Sequence, residues 1–379
     1  MSGVPHVLHL HSTFSPGGKE LRAVRLMNAF GRQLRHTVVS AAPEETGAAA
    51  RIDRRVSAAI QPAFPSLKGA PLPGRLQALA KAMKGFDLVL TYNWGAMDAV
   101  MAHTLFKDAL SLSPLIHHED GFAEDEAERR KRRRTWYRRI ALGKASGLVV
   151  PSETLEEIAL VEWQQPIGRV KHIPNGIDVA AFAQSPRPDA IPRLLKRKGE
   201  YWVGTMAGLR AVKNLPRLVH AFRTLPDNWH LVICGEGPER EAILAEADLH
   251  HINHRVHLPG NVPEPAKVVG LFDIFALSSE SEQAPISVIE AMAAGRPVVA
   301  PKVGDIAQMV AEENLAYLAD RPDAAELETQ LVSLALDEQA RKSVGAANRA
   351  VAASQFTEKA MIATYGRLYG SALGVSLKA

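Results

Sequence analysis

Short apolar runs rich in β-branched residues alternate with helical patterns along most of the chain. In the first half these runs lie at 7–10, 37–39, 88–90, 115–116 and 148–150. Beyond residue 200 the alternation restarts, with runs at 202–206, 231–233, 256–258, 274–277, 298–300 and 316–318. Buried strands that alternate with helices are typical of parallel α/β sheets. The pattern therefore predicts two doubly wound domains that bind ligands at the carboxyl ends of their strands.

Breaks in this pattern indicate the domain boundaries. We predict an N-terminal domain at 1–182, a proline-containing linker region at 183–199 and a second domain at 200–356. A terminal amphipathic helix at about 357–379 is expected to pack back on the first domain. Residues 42–75 are rich in Ala, Pro and Gly and have no clear period, so their structure stays open; one interpretation is a mobile excursion near a ligand-facing edge.

The composition is that of an ordinary globular protein. The 379 residues, 46% hydrophobic and 23% charged, suffice for two domains with their own cores. The single cysteine, Cys234, excludes an internal disulfide and follows an apolar run typical of a buried thiol. Residues 1–12 lack a leader pattern, and no run approaches the roughly 18 apolar residues of a membrane helix. We therefore expect a cytoplasmic protein.

Positive charge is concentrated locally although the net charge is only +4. Basic residues crowd positions 129–139 around two aromatic residues, and the candidate contacts there are Arg130, Arg133, Arg134 and Trp136. One interpretation is a solvated helix face balanced by the acidic residues just before it. Another is an acceptor-side patch for anionic headgroups, at the cytoplasmic face of a membrane. We expect no nucleic-acid partner.

Two carboxylates, Glu282 and Glu290, flank the start of a predicted helix. Pro285 fits its first position, so the N–H groups of Ile286 and Ser287 and the positive end of the helix dipole would meet an anion such as a diphosphate. Glu290 follows about 7–8 Å along the axis, and the two carboxylates would accept sugar and ribose hydroxyls. The alternative is that Glu282 is only a residue at the helix start and Glu290 only a solvated helix residue. Glu290, however, lies in an apolar stretch, where a carboxylate needs a partner.

Other polar residues suggest how a phosphate is held. Gly17 and Gly18 follow a predicted strand and precede a helix, where glycine lets the backbone approach a phosphate, although a plain tight turn is the alternative. The chain has no D-x-D pair to hold a bridging metal, so a diphosphate needs a cationic side chain.

A histidine cluster comprises His250, His251, His254 and His257 and contains the i, i+4 spacing of a helical metal pair. No cysteine lies nearby, and a polar connection between a helix and a strand accounts for these residues. We therefore expect no metal there.

Taken together, nearly the whole chain resembles glycosyltransferase family 4, which are retaining enzymes of GT-B fold. The spacing of Glu282 and Glu290 matches that family's E-x7-E motif, residues 175–178 match its inter-domain N-G-[IV]-D motif, and residues 17–20 match its G-G-x-E loop. The resemblance implies two Rossmann-like domains that face a central cleft, and sugar transfer without a metal.

The resemblance also implies roles for single residues. Lys213 matches the family's diphosphate-binding lysine and would be the required cation, with an ordinary surface lysine as the alternative. Gly208 replaces the arginine of the usual G-R-L pattern, and whether Arg210, two residues later, supplies that charge stays open. Gln283 and Ala284 stand where many relatives have Gly-Phe, which leaves the donor sugar open.

Further contacts follow from the same resemblance. Gly235 belongs to a second glycine turn, and Asn261 and Val262 match the backbone that receives the base, with routine loop chemistry as the alternative. His117 resembles the family histidine that meets the donor sugar, and strand alternation sends His117 and His118 to opposite faces. The implied catalytic residues are His117, Glu282 and Lys213.

We therefore expect a retaining hexosyltransferase without a cofactor or metal. It would move a sugar from a UDP- or GDP-sugar to a glycan or a lipid-linked acceptor, in cell-surface polysaccharide or glycolipid assembly. Two alternatives remain open. One is a sugar-nucleotide epimerase of similar fold, and the other is a nucleotide-sugar-binding subunit without turnover, which the departures at 208 and 283–284 make conceivable.

Overall fold

The computed structural model describes residues 3–122, 124–126 and 129–378. The chain forms two compact units: the first contains the residues up to Asn175 together with those from Lys359, and the second contains 176–358. The predicted linker, 183–199, thus lies within the second unit. Each unit is a parallel sheet with helices, which confirms the predicted class of two doubly wound Rossmann-like domains.

The first unit has a seven-stranded parallel sheet in the order β3-β2-β1-β4-β5-β6-β7. The strands are β1 (His6–His11), β2 (Arg35–Ser40), β3 (Ser57–Ile60), β4 (Leu88–Tyr92), β5 (Leu115–His118), β6 (Gly147–Val150) and β7 (Val170–His172). The central strands are apolar at most positions because parallel sheets are covered on both faces. The edge strands β3 and β7 were not predicted, and β3 lies inside 42–75, so this stretch is not an excursion throughout.

The described residues of the first unit form several α-helices. They are α1 (Gly18–Phe30), α2 (Pro73–Ala82), α3 (Met97–Leu110), α4 (Arg132–Ala141), α5 (Glu153–Val161) and the last helix, α13 (Glu358–Leu373). Tyr365 and Tyr369 of α13 are buried against Phe30 and Val149 of this unit. The helix therefore completes the core of the first unit, while residue 379 of the predicted helix lies outside the described residues.

The second unit has a six-stranded parallel sheet in the order β10-β9-β8-β11-β12-β13. The strands are β8 (Tyr201–Met206), β9 (Trp229–Cys234), β10 (Val256–Gly260), β11 (Ile274–Ala276), β12 (Val298–Pro301) and β13 (Leu318–Ala319). The helices are α6 (Val179–Phe182), α7 (Leu215–Phe222), α8 (Arg240–Leu249), α9 (Ile286–Ala293), α10 (Ile306–Met309), α11 (Ala324–Leu336) and α12 (Glu338–Gln355). Most of the predicted run 316–318 lies in a 3₁₀ turn, Glu312–Tyr317, so β13 begins later than expected.

Buried histidines form an unusual part of the first core. His9 Nε2 lies 3.0 Å from His36 Nδ1, and His9 Nδ1 lies 3.1 Å from the Tyr92 hydroxyl. The ring of Tyr92 stacks on His11 and on His118. Burial lowers the pKa of His36 to about 4 and of His118 to about 3, and lowers the pKa of His9 and His11 well below the usual value. All four rings are therefore neutral in the folded protein near pH 7.

We predict that acid destabilises this protein through these rings. Because their folded pKa is depressed, the unfolded chain binds more protons, so their contribution is present above about pH 6.5 and is lost as the pH falls towards 4. Each ring adds roughly 1.4 kcal/mol per pH unit to the loss of unfolding free energy. Denaturant titrations between pH 7 and pH 4 measure this slope.

His36→Gln is the informative variant for that slope, and His254→Gln, at an exposed histidine, is its control. His36→Gln should lower the slope of unfolding free energy against pH by roughly 1.4 kcal/mol per pH unit, the contribution of one proton. His254→Gln should leave that slope unchanged. An equal slope in His36→Gln and the wild type would contradict the assignment of buried neutral histidines.

Candidate active site

The carboxyl edge of the second sheet brings together the two residues central to the sequence prediction. Lys213 ends a 3₁₀ turn after β8, and Glu282 lies in the loop between β11 and α9. Their side chains form an ion pair and are 16% and 10% exposed. The hydroxyl of Ser279 also donates to Glu282 Oε1 at 2.7 Å. A carboxylate and an ammonium are therefore held at one place, at the edge where doubly wound sheets bind ligands.

The loop that carries Glu282 is supported from behind by Gly304. This residue has φ +58°, and a Cβ there would lie 2.4 Å from the carbonyl oxygen of Glu282. The N–H of Asp305 donates to the carbonyl of Gln283 at 2.8 Å. Only glycine allows this approach of two backbones, so the position of Glu282 is set by packing of main chain on main chain.

Helix α9 begins one residue later than predicted. Pro285 is its N-cap and the helix starts at Ile286, since Pro285 has an extended ψ of 120°. The N–H groups of Ile286 and Ser287 lie in the first turn and have no acceptor within the helix. Ala284 and Ile286 are half-buried against the core, and Glu290 is 8% exposed. The burial of Glu290 agrees with the apolar stretch in which the sequence places it, and the alternative of a solvated helix residue is excluded.

Two glycines bring the neighbouring loops together. At Gly235 a Cβ would lie 1.8 Å from the carbonyl oxygen of Ala207, and at Gly237 it would lie 2.3 Å from that of Leu209. The N–H of Gly235 also donates to the carbonyl of Gly260 at 2.9 Å. The ends of β8, β9 and β10 thus meet behind the candidate site.

The remaining predicted donor contacts lie on these loops. Arg210 is exposed, and its Nε lies 3.5 Å from the position that a Cβ on Gly208 would occupy. Arg210 therefore folds back over Gly208. Asn261 is exposed, whereas Val262 packs partly against the core.

The first unit gathers polar residues at the carboxyl edge of its own sheet. Gly17 is the N-cap of α1, and a Cβ there would lie 2.7 Å from Glu20 Oε2. A larger residue at 17 would therefore have to displace the Glu20 carboxylate, and Gly18 is the first residue of the helix. Glu20 is buried and forms an ion pair with Lys19.

The sequence interpretation missed a buried arginine at this edge. Arg22 of α1 donates from Nη1 and Nη2 to the two carboxylate oxygens of Asp120, at 2.5 and 2.9 Å, and from Nη1 to Asn175 Oδ1 at 2.9 Å. The pKa of Asp120 is lowered because the attraction of Arg22 outweighs burial, which acts in the opposite direction. The spacing of Asn175 from α1 gave no sign of this contact.

The two candidate histidines are both buried and point to different partners. His117 Nδ1 lies 2.8 Å from Thr91 Oγ1, and its Nε2 lies 3.7 Å from Glu119 Oε2. His118 Nδ1 lies 3.2 Å from the Thr91 carbonyl, and its Nε2 lies 2.9 Å from the Tyr369 hydroxyl. Within the described residues, His117 Nε2 has no hydrogen-bond partner.

The basic segment divides into paired and exposed residues. Arg130 pairs with Glu162, and Arg134 pairs with Asp125 and Glu126. Arg133 is exposed, and Trp136, 59% exposed, borders an open groove of about 580 Å³. Of the preceding acidic residues, Glu128 lies outside the described residues. The balancing of charge by acidic neighbours thus accounts for part of this segment.

Arg138 does not belong to any surface patch. It is fully buried, and its Nε donates to Glu119 at 3.1 Å while its Nη2 donates to Glu126 at 3.3 Å. Its guanidinium also lies over the rings of Trp94 and Trp163. The prediction that Arg138 is part of the positive surface is wrong because these partners draw it inward.

Two protein-family models match this chain, and each covers most of one unit. Residues 186–351 match the family model described as glycosyl transferases group 1, and residues 16–181 match that of glycosyltransferase family 4. Together the two models cover most of the chain. Two Rossmann-like units, each a parallel sheet with helices, match the architecture of the GT-B fold. The chain belongs to the glycosyltransferases of the group 1 and family 4 type.

Individual relatives are distant. The chain is similar to the GDP-mannose-dependent alpha-mannosyltransferase of Mycolicibacterium smegmatis, with 26% identity over 76% of this chain and 77% of that protein. It is 28% identical to the N-acetyl-alpha-D-glucosaminyl L-malate synthase of Bacillus anthracis, over 43% of this chain and 44% of the relative. Against several such relatives the chain spans about half of their length, 44–49%.

A solved structure shows the same fold. HepE of Anabaena in complex with UDP-glucose has a TM-score of 0.78 and 18% identity, over 97% of this chain and 99% of that one. Within the described part of the chain, no helix combines the length and apolarity that crossing a bilayer requires.

We predict that Arg138→Leu destabilises the first unit strongly. The substitution leaves Glu119, itself fully buried, without its cationic partner, and removal of one member of a buried ion pair typically costs about 3–5 kcal/mol. Arg133→Leu, at an exposed position of the same helix, should change the unfolding free energy by less than about 0.5 kcal/mol. Urea denaturation measures both, and equal effects of the two substitutions would rule out the buried role.

Proposed function

We propose that this glycosyltransferase is a retaining enzyme that transfers a hexose from a nucleotide-diphosphate donor to a glycan or a lipid-linked acceptor. The observation that carries the proposal is the placement of Lys213 and Glu282 beside the start of α9 at one sheet edge. A diphosphate needs cationic and N–H donors, and a sugar needs a carboxylate to accept its hydroxyls. Both kinds of group are present there.

The protein itself supplies positive charge for the leaving group in this proposal. The ammonium of Lys213 and the N–H groups of Ile286 and Ser287 would stabilise the negative charge that develops on the diphosphate as the glycosidic bond breaks. These groups are fixed by the fold, so they need no rearrangement of solvent. No bridging metal is then required for this step.

Glu282 would change partners when the donor binds. A diphosphate that pairs with Lys213 competes with Glu282 for the same ammonium, because a lysine offers three donors on one small cation. Glu282, still anchored by Ser279, would then accept hydroxyls from the sugar. Glu290, about one turn along α9, would accept the hydroxyls of the ribose.

Arg210 is the candidate for the arginine that Gly208 replaces. Its Nε lies close to the place where a side chain from 208 would start. The charge would therefore reach the diphosphate from a position two residues later in the chain. Gly235, Asn261 and Val262 would complete the donor pocket on the side of the base.

His117 is proposed to contact the sugar or the acceptor hydroxyl. Both ring nitrogens of His118 have partners, whereas His117 Nε2 has no hydrogen bond within the described residues. The His117 side chain is fully buried, so a hydroxyl would reach this nitrogen only if the side chains that cover it move when the ligand binds. The acceptor proton would pass to the departing phosphate, and the sugar would keep its anomeric configuration.

The donor base and the acceptor are proposed by analogy with relatives. One relative is named as dependent on GDP-mannose, and HepE was solved with UDP-glucose. A GDP- or UDP-hexose is therefore the proposed donor. The exposed Arg133 and Trp136, with Arg130 and Arg134, would contact anionic headgroups around a lipid-linked acceptor in polysaccharide or glycolipid assembly.

We predict that Lys213→Ala and Glu290→Ala impair transfer in different ways. Loss of Lys213 should lower kcat/KM by about 10²–10³-fold, the range for removal of one donor to a developing charge. Loss of Glu290 should mainly raise KM for the donor, by roughly tenfold or more, because its contact to the ribose is the same in the ground state and in the transition state. Initial rates of nucleotide release, with UDP- and GDP-hexoses and an acceptor panel, measure both.

Lys267→Ala is the matched control, since Lys267 is an exposed lysine of the same unit. It should retain the wild-type rate. Acceptor-dependent release with retained configuration by NMR supports the proposal. An isomerised sugar without acceptor would indicate an epimerase, donor binding without turnover would indicate a binding subunit, and wild-type rates in Lys213→Ala would refute the assigned role.

A further inference from the structure

Three side chains on the outer helices of the second unit converge on one point. His220 lies on α7, Glu246 lies on α8, and His250 follows α8 directly. His220 Nδ1 lies 3.1 Å from Glu246 Oε1, His250 Nε2 lies 2.9 Å from the same oxygen, and the two nitrogens lie 3.1 Å apart. Two imidazole nitrogens and one carboxylate oxygen thus form a nearly equilateral triangle.

The size of this triangle fits three ligands of one metal ion. Bonds of about 2.0–2.2 Å from zinc to nitrogen and oxygen place neighbouring ligand atoms about 3.3 Å apart in a tetrahedron and about 2.9 Å apart on one face of an octahedron. The observed sides fall at or near this range. An ion above the triangle would reach all three atoms with shifts of a few tenths of an ångström.

Hydrogen bonds alone satisfy the two nitrogens and the oxygen of this triangle poorly. If both imidazole nitrogens carry a proton, two donors lie 3.1 Å apart beside a single oxygen. If one nitrogen is unprotonated, its lone pair faces both the carboxylate oxygen and the other ring, which can offer only one proton to share. A cation at the centre attracts all three atoms and removes the conflict.

The triangle is also reachable from solvent. The side chains of His220, Glu246 and His250 are 40%, 23% and 21% exposed, so an ion can enter and water can complete its coordination.

We propose that His220, Glu246 and His250 bind a divalent first-row transition metal ion, with Zn²⁺ as the reference ion. Imidazole with carboxylate is a donor set that suits zinc, nickel and cobalt better than magnesium or calcium. The ion would join α7 to α8. Because α7 begins at Leu215, two residues after Lys213, the ion would stabilise the helix that follows the candidate donor site. This role is independent of the proposed transfer chemistry.

This site differs from the spacing considered in the sequence. His251 and His254 are exposed and do not join the triangle, and His257 pairs with His230 at 3.0 Å. One ligand of the triangle, His220, lies 30 positions before His250 in the sequence. The expectation of no metal was based on the local run 250–257 alone, which lacks two of the three ligands.

Calorimetric titration of the full chain with ZnCl₂ tests the site. The protein should carry no histidine tag and should first be stripped with EDTA. We expect one zinc per chain, an increase in the thermal midpoint with zinc, and a change in visible absorption when Co²⁺ replaces it, which is intense for four-coordinate and weak for six-coordinate cobalt. MgCl₂ should do none of these.

Variants separate this site from other histidines. His220→Ala, Glu246→Ala and His250→Ala should each weaken zinc binding by more than about tenfold, since loss of even an outer-shell partner costs that much. His254→Ala is the matched control at an exposed neighbouring histidine, and circular dichroism checks the fold of each variant. The proposal is overturned if the wild type binds zinc no more tightly than His220→Ala, or if His254→Ala loses as much affinity.

Discussion

The ion pair between Lys213 and Glu282 is the interaction on which the candidate site depends. The two residues are 69 positions apart, in loops that follow β8 and β11. Both side chains are mostly buried, so their attraction is less screened than that of a surface pair. Separating them leaves two buried charges unpaired, which is costly unless each finds another partner. A ligand that brings an anion for Lys213 and hydroxyl groups for Glu282 meets this condition, which is the chemistry of a sugar nucleotide.

The backbone keeps these charges in place. Gly304 lies against the loop of Glu282, and Gly235 and Gly237 lie against the segment that leads from β8 to Lys213. At each of these positions a Cβ would overlap a carbonyl oxygen, so a larger residue would have to move a loop. The site is therefore built from main-chain packing at the edge of a parallel sheet, and its charged side chains are placed on that support.

The sequence was most informative where the signal is local. Runs of buried β-branched residues revealed the central strands, and the motif around Glu282 and Glu290 led to the helix α9. The strand β3 was missed because it is short and half-buried at the sheet edge, so it shows little apolar contrast. Pairings between distant residues were invisible: Arg22 with Asp120, Arg138 with Glu119, and His220 with Glu246 depend on which elements become neighbours. Arg138 was misassigned for the same reason, since its buried partners precede it on a different element.

The most direct test is a structure of the protein crystallised with UDP- and GDP-hexoses. The account predicts that one of them binds with its diphosphate on Lys213 and on the N–H groups of Ile286 and Ser287, with Glu282 released from Lys213 and bonded to the sugar. A donor bound elsewhere on the second unit, with the Lys213–Glu282 pair intact, would contradict it.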